Sequence, residues 1–218
     1  MLKNKKLIAF DADDTLTQTI KTAFQVHKLT ASKYYGIELT DDDIRANWGM
    51  PFEQFVQILY EDIEPFENIQ QNIFKVKSNI PALPHIGAIK TLNMLKKDYL
   101  IGLVTASGWE IIRLYLSESG FDLNIFDWFQ TAEDTNHHKP NGKVFKPMFT
   151  FAKKKGINQN EILYVGDSLQ DYSATKDANI DFIAITTGFN TKEEFTKQGL
   201  NKKFVINTLS QLIDIIDT

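Results

Sequence analysis

Four short stretches of unbroken apolar residues constrain this chain most: Leu7-Ile8-Ala9-Phe10, Leu100 to Val104, Ile162 to Val165 and Phe182 to Ile185. None alternates with polar residues. A strand with one wet face alternates, and a strand buried on both faces does not, so these runs predict a parallel sheet covered on both sides. A weaker fifth run is Phe204-Val205-Ile206. Between the runs lie stripes at helical spacing: Ile86, Ile89, Leu92 and Leu95, then Leu209, Leu212, Ile213 and Ile216. Strand and helix in alternation imply an α/β core with right-handed crossovers and helices on both faces.

One region breaks the alternation. From about Thr17 to about Pro84 the pattern is helical throughout, with stripes at Ile20, Ala23, Phe24 and His27, at Phe52, Phe55, Val56 and Leu59, and at Phe66, Ile69, Ile73 and Val76. The expected organisation is a core formed by 1–16 and 85–218, with an α-helical cap domain inserted at 17–84. Pro81 and Pro84 mark the exit linker. A length of 218 residues suits one domain with such an insertion.

Composition removes several function classes. The net charge of −4 gives no reason to expect nucleic acid or an anionic membrane as partner. The absence of cysteine excludes disulfides, thiolate metal sites and cysteine nucleophiles. The basic start runs into only four apolar residues, too few for a signal-peptide core, and no stretch approaches a membrane span. A cytoplasmic location is expected.

The first strand ends in Phe10-Asp11-Ala12-Asp13-Asp14-Thr15-Leu16. In open α/β sheets, ligands bind beyond the carboxyl ends of the strands. Three aspartates there repel one another, and burial penalises each ion. Either a cation removes that cost, or Asp13 or Asp14 caps a helix. The third apolar run ends the same way, in Gly166-Asp167-Ser168-Leu169-Gln170-Asp171. If the two strands are neighbours, Asp11, Asp13, Asp167 and Asp171 converge on one crevice. Oxygen ligands suit a hard cation, with Mg²⁺ the common choice. The second run ends in Thr105-Ala106-Ser107-Gly108 before a helix at Trp109. That is either an anion site of backbone N–H groups and a hydroxyl, or a plain helix cap. Lys139-Pro140 lies in a loop after Phe129-Gln130-Thr131, either as solvated surface or as a fixed ammonium.

Asp11-x-Asp13-x-Thr15, Thr105, Lys139 and Gly166-Asp167-x-x-x-Asp171 stand in the order and rough spacing of the four motifs of the haloacid dehalogenase-like superfamily, and the chain resembles that family over almost its whole length. The resemblance implies a Rossmann-like core with a C1-type helical cap. It implies a Mg²⁺-dependent phosphatase acting on a small phosphorylated metabolite; a monomer or weak dimer is expected. Asp11 would be the nucleophile that forms an aspartyl-phosphate, and Asp13 the general acid/base. Thr105 and Ala106 would hold the transferring phosphoryl group, with Lys139 stabilising its charge. Mg²⁺ would lie on Asp11, Asp167 and the Asp13 carbonyl, with Asp171 and Ser168 in support. A carboxylate attacks an anionic phosphate only when charge is neutralised, which agrees with this assignment.

Asp13 favours ester cleavage over halide displacement, which needs no proton donor. No context singles out a cap lysine (Lys21, Lys28, Lys33, Lys75 or Lys77) as an imine former for phosphonate cleavage. Asp14 departs from the family pattern, where glycine is common. In the cap, Arg45-Ala46-Asn47-Trp48-Gly49-Met50-Pro51 occupies the place of a substrate loop. Arg45, Asn47 and Trp48 either read the substrate, or serve the cap as a solvated arginine and a packed tryptophan. His137 and His138 are exposed loop residues or extra phosphate contacts, His27 is expected to pack, and His85 is a hinge candidate. Two rival functions share parts of the pattern. A β-phosphoglucomutase-like transferase uses the same motifs. A receiver-like module also phosphorylates a strand-end aspartate, but lacks the large insertion and the second acid.

Overall fold

In a computed structural model that describes residues 2, 4–48, 50 and 52–216, the apolar runs become neighbouring strands. These are β1 (Leu7–Phe10), β2 (Leu100–Val104), β3 (Trp128–Gln130), β4 (Ile162–Gly166), β5 (Asp181–Ile185) and β6 (Val205–Ile206). They form one parallel sheet in the order β3-β2-β1-β4-β5-β6. β1 is thus flanked by the two strands that run into Thr105 and into Gly166-Asp167. Phe10 is level with Leu103 on one side and Val165 on the other, so the three strands finish together.

The chain divides into two compact units, one of residues 1–18 and 83–218 and one of residues 19–82. The second unit contains α1 (Thr19–Thr30), α2 (Asp41–Asn47), α3 (Phe52–Leu59) and α4 (Phe66–Lys77). Phe24, Phe55, Val56, Leu59, Ile69, Ile73 and Val76 are buried in it, as the stripes predict, but Ile20, Ala23 and Phe66 are only half-buried and Phe52, at the first turn of α3, is exposed. Thr40 and Asp43 form a reciprocal capping box that starts α2. Within the first unit the chain departs and returns side by side: Gln18 N donates to Leu83 O at 2.8 Å, and His85 N donates to Leu16 O at 2.8 Å.

His27 packs into the second unit with 4% of its surface exposed. Its Nδ1 lies 3.1 Å from the Tyr60 hydroxyl, and its ring meets Phe55 edge-on at 5.0 Å. Burial pushes the imidazole down to about 4 from an ordinary 6.5. The unfolded chain therefore takes up this proton first as pH falls. Stability from this group is complete above 6.5 and falls as pH drops toward 4, by about 3 kcal/mol in all. The His27 imidazole resonances should accordingly titrate near pH 4, and a midpoint near 6.5 would contradict the packing.

The remaining helices, α5 (Ala88–Leu95), α6 (Trp109–Glu118), α7 (Lys146–Lys154), α8 (Leu169–Asp177), α9 (Lys192–Lys197) and α10 (Gln211–Ile216), cover the sheet. Alternate strand residues face opposite layers. Ile8, Phe10, Leu103 and Val165 pack with Leu92 of α5, Ile112 of α6 and Leu212 of α10. Leu7, Ala9, Tyr164 and Phe182 pack with Met148 of α7, Ala174 of α8 and Phe195 of α9. Full burial of such a side chain stabilises by about 1.5–3 kcal/mol, so both faces of each strand contribute. This is why the runs carry no polar alternation.

Three local expectations are corrected. Ile86 is not on the α5 stripe: Gly87, at φ +83°, precedes the helix, and Ile86 is 87% exposed. Of the weak fifth run, only Val205 and Ile206 pair as a strand, because Phe204 closes a 3₁₀ turn. β3 has no counterpart among the predicted strands. Among the described residues, no helix is long and apolar enough to cross a membrane.

Candidate active site

The level ends of β1 and β4 bring the acids together. One carboxylate oxygen from each of Asp11, Asp167 and Asp171 lies within 4.8 Å of the others, and all three residues are buried. Asp11 is placed directly by the sheet, since its N–H donates to Val165 O at 2.9 Å. Asp171 is on the first turn of α8, where it forms a capping box with Ser168. The Ser168 hydroxyl donates to Asp171 Oδ2 at 2.5 Å, and Asp171 N donates to the Ser168 hydroxyl at 3.1 Å. A Cβ on Gly166 would stand 2.7 Å from the Asp171 carboxylate, so only glycine lets α8 start this close to its strand.

Lys139 enters the cluster from its loop, preceding a cis Pro140. Its ammonium donates to Asp11 Oδ1 at 2.5 Å, lies 2.6 Å from Asp171 Oδ1, and is 11% exposed. The Tyr164 ring faces it at 5.3 Å, and the Tyr164 hydroxyl donates to Val104 O at 3.2 Å. Burial alone would lower the lysine, but the Asp11 and Asp171 carboxylates outweigh it and hold Lys139 charged, well above its usual range.

The loop after β2 is fastened to the same place. Thr105 N donates to Gln130 O at 2.9 Å, and Ser107 N donates to Thr105 Oγ1 at 3.0 Å. The Ser107 hydroxyl donates to Asp13 Oδ2 at 3.1 Å, tying Asp13 to this loop. Ala106 is exposed at its crest. The Thr15 hydroxyl donates to Asp167 Oδ1 at 3.2 Å. Asp14, standing where the family often has glycine, adopts φ +56°, a left-handed conformation that aspartate tolerates.

A cation fits this donor set. The acids offer oxygen alone, which selects hard ions such as Mg²⁺. One lysine does not balance three buried carboxylates. Burial, opposed by Lys139 and reinforced by Asp171, Asp167 and Asp13, pushes Asp11 well above the usual carboxylate range. Burial, with Asp171 and Asp14, pushes Asp167 up to about 8. A divalent ion would reverse both shifts.

Arg45, Asn47 and Trp48 belong to the helical unit. Trp48 packs at 5.5 Å from Phe24 and 5.9 Å from Phe55, Asn47 Nδ2 donates to Asp43 O at 3.0 Å, and Arg45 is exposed. Gly49 and Pro51 of the expected turn fall outside the described residues. His138 is exposed and His137 half-buried.

Acids and a lysine gathered at the carboxyl ends of a parallel sheet define a hydrolase core of the haloacid dehalogenase type. The model of the haloacid dehalogenase-like hydrolase family matches residues 8–185, and the chain belongs to that family of enzymes. It is 27% identical over 216 residues to a Clostridium perfringens chain assigned as pyrophosphatase PpaX, covering 97% of each. It is 27% identical over 186 residues to phosphoglycolate phosphatase of Escherichia coli K12, covering 83% of this chain and 65% of that one. Its fold is similar to that of a Thermotoga maritima protein assigned as a β-phosphoglucomutase, with a TM-score of 0.81 at 19% identity, covering 97% and 98%.

Tyr164, Ser107 and Thr15 were not singled out for chemistry from the sequence. Tyr164 sits inside an apolar run, and its ring under Lys139 is visible only in three dimensions. Ser107 and Thr15 stood inside the quoted motifs, where nothing in the sequence says which carboxylate each hydroxyl meets.

Proposed function

We propose that the chain is a Mg²⁺-dependent phosphatase that hydrolyses a small phosphate monoester through an aspartyl-phosphate on Asp11. The observation that carries this reading is the Asp11 carboxylate, held at a strand end against Lys139 with Asp167 and Asp171 within reach. An Asp11 oxygen attacks phosphorus, and the bond to the leaving oxygen breaks. Protonated Asp13 gives its proton to that oxygen. Asp13 then takes a proton from water as the water attacks the phosphoryl group, freeing phosphate and regenerating Asp11. Thr105 and the main chain at Ala106 orient the phosphoryl oxygens, while Lys139 stabilises their charge. Asp171, fixed by Ser168, keeps Lys139 in place. Mg²⁺, held by Asp11, Asp167 and the Asp13 carbonyl, would supply further positive charge to the phosphoryl group when bound.

We assign choice among esters to Arg45, Asn47 and Trp48 of the helical unit, which acts as a cap. We place the protein in the cytoplasm, as a monomer or weak dimer with a phosphorylated metabolite as its substrate and no nucleic-acid or membrane partner. Membership of a hydrolase family argues against a receiver-like module. The test is a panel of phosphate esters, including p-nitrophenyl phosphate, phosphoglycolate, pyrophosphate and β-glucose 1-phosphate, assayed with Mg²⁺. Sustained release of inorganic phosphate is expected. Turnover of none of them would refute the reading, and isomerised glucose phosphate without free phosphate would replace it with mutase chemistry.

A further inference from the structure

The turn after β5 contains no residue used in the chemistry above, yet it reaches three parts of the site. The Thr187 hydroxyl donates to Asp14 O at 2.5 Å, fastening the loop that follows Asp11 and Asp13. Asn190 Oδ1 accepts from Leu169 N at 2.9 Å, at the first turn of α8. Between them, Gly188 lies against Asp167. A Cβ built on Gly188 would stand 1.8 Å from Asp167 Oδ2 and 2.8 Å from its Cγ, where real Cβ atoms essentially never come within 3.0 Å. The backbone at Gly188 is not in the left-handed region, so conformational freedom does not explain the glycine. The explanation is space: the Asp167 carboxylate occupies the volume that any other side chain at 188 would need.

We propose that Gly188 is a positioning residue for the cation site, and that the 186–190 turn is a fifth structural element of that site beside the four motif loops. Asp167 is clamped from two directions. Thr15 holds Oδ1 by a hydrogen bond at 3.2 Å, and the Gly188 backbone walls off Oδ2. The clamp keeps the carboxylate facing Asp11 and Asp171. Mg²⁺ accepts only near-ideal octahedral geometry, so a ligand free to swing would weaken binding even with its charge unchanged. Groups that orient a metal ligand without touching the ion typically change affinity by about 10–100-fold.

This inference rests on the function proposed above in taking the acid cluster to bind Mg²⁺, and its test separates the two. Gly188→Ala would be compared with the wild type for Mg²⁺ affinity by titration calorimetry, without substrate. In parallel, a thermal-stability cycle in metal-free buffer would compare wild type, Gly188→Ala, Asp167→Ala and the double variant. Mg²⁺ affinity in Gly188→Ala should fall at least about 10-fold. Any loss of thermal stability caused by the new methyl group should disappear once Asp167 is alanine, because the clash has then gone. If Gly188→Ala fails to fold, a folded double variant still supports the proposal. Wild-type Mg²⁺ affinity in Gly188→Ala, or equal destabilisation with and without the Asp167 side chain, overturns it. A wild-type protein that binds no Mg²⁺ would count against the functional reading, while the metal-free cycle would still decide whether Gly188 positions Asp167.

Discussion

Asp11→Asn should abolish phosphate-ester turnover, by roughly 10⁴-fold or more, in a protein that remains folded. The carboxamide has the shape of the carboxylate but is not a nucleophile toward phosphorus, so no covalent intermediate forms. Loss of fold is not the expected cause. Asp11 is buried among Asp171, Asp167 and Asp13, and burial holds its carboxyl above the ordinary range. A carboxyl whose pKa is raised on folding stabilises the fold only while protonated, and that contribution is lost as pH rises through the folded value. Burial among like charges therefore makes ionising Asp11 costly in the folded state without metal, a cost that a neutral asparagine does not carry. Lys139 keeps Asp171 as a partner at 2.6 Å. In metal-free buffer the melting temperature of Asp11→Asn should equal or exceed that of the wild type. Retention of more than about a hundredth of wild-type turnover would remove Asp11 from the mechanism.

Mg²⁺ should have a comparably large effect, and it should be visible without any substrate. An ion that binds the folded chain alone stabilises it by RT ln(1 + [L]/Kd), about 2.7 kcal/mol at 100 times the dissociation constant. For a chain of this size that corresponds to a rise in melting temperature of about 5–10 °C. Chelation should remove both this increment and all turnover, and Mg²⁺ should restore both. Asp167→Asn should lose most of the shift, since it removes charge from one of the three clustered carboxylates. An unchanged melting curve on adding Mg²⁺ to the wild type, or an equal shift in Asp167→Asn, would show that the acid cluster is not where the ion acts.

The parts of this molecule that the sequence makes legible are those where physics leaves a one-dimensional trace. Burial on both faces removes polar alternation, so Leu7–Phe10, Leu100–Val104 and Ile162–Gly166 can be recognised as strands from their residues. A buried strand that runs straight into acids is costly, and that cost marks Asp11 and Asp167. β3 left no such trace. It is three residues long at the sheet edge, with Trp128 and Phe129 half-buried, and Gln130 buried because its Nε2 donates to Val144 O at 2.7 Å. Ile86 misled because it fits the period of a helix that Gly87 delays. Pairings within the site were the least legible. The residues alone do not say that Asp171 meets Lys139, or that Ser107 meets Asp13. Gly188 was invisible because its contribution is the side chain it lacks.

The position of β1 between β2 and β4 has a consequence for synthesis on the ribosome. Asp11, the proposed nucleophile, precedes its two flanking strands by about ninety and about one hundred and fifty residues. Until β4 has emerged, the strand that carries Asp11 has only β2 as a neighbour, with neither Asp171 to hold Lys139 nor Asp167 beside it. On the proposed mechanism, chemical competence therefore arrives only once Asp167 and Asp171 have been made. If Asp11 attacks as proposed, any fragment ending before Asp171 would carry that group without the carboxylate that holds Lys139.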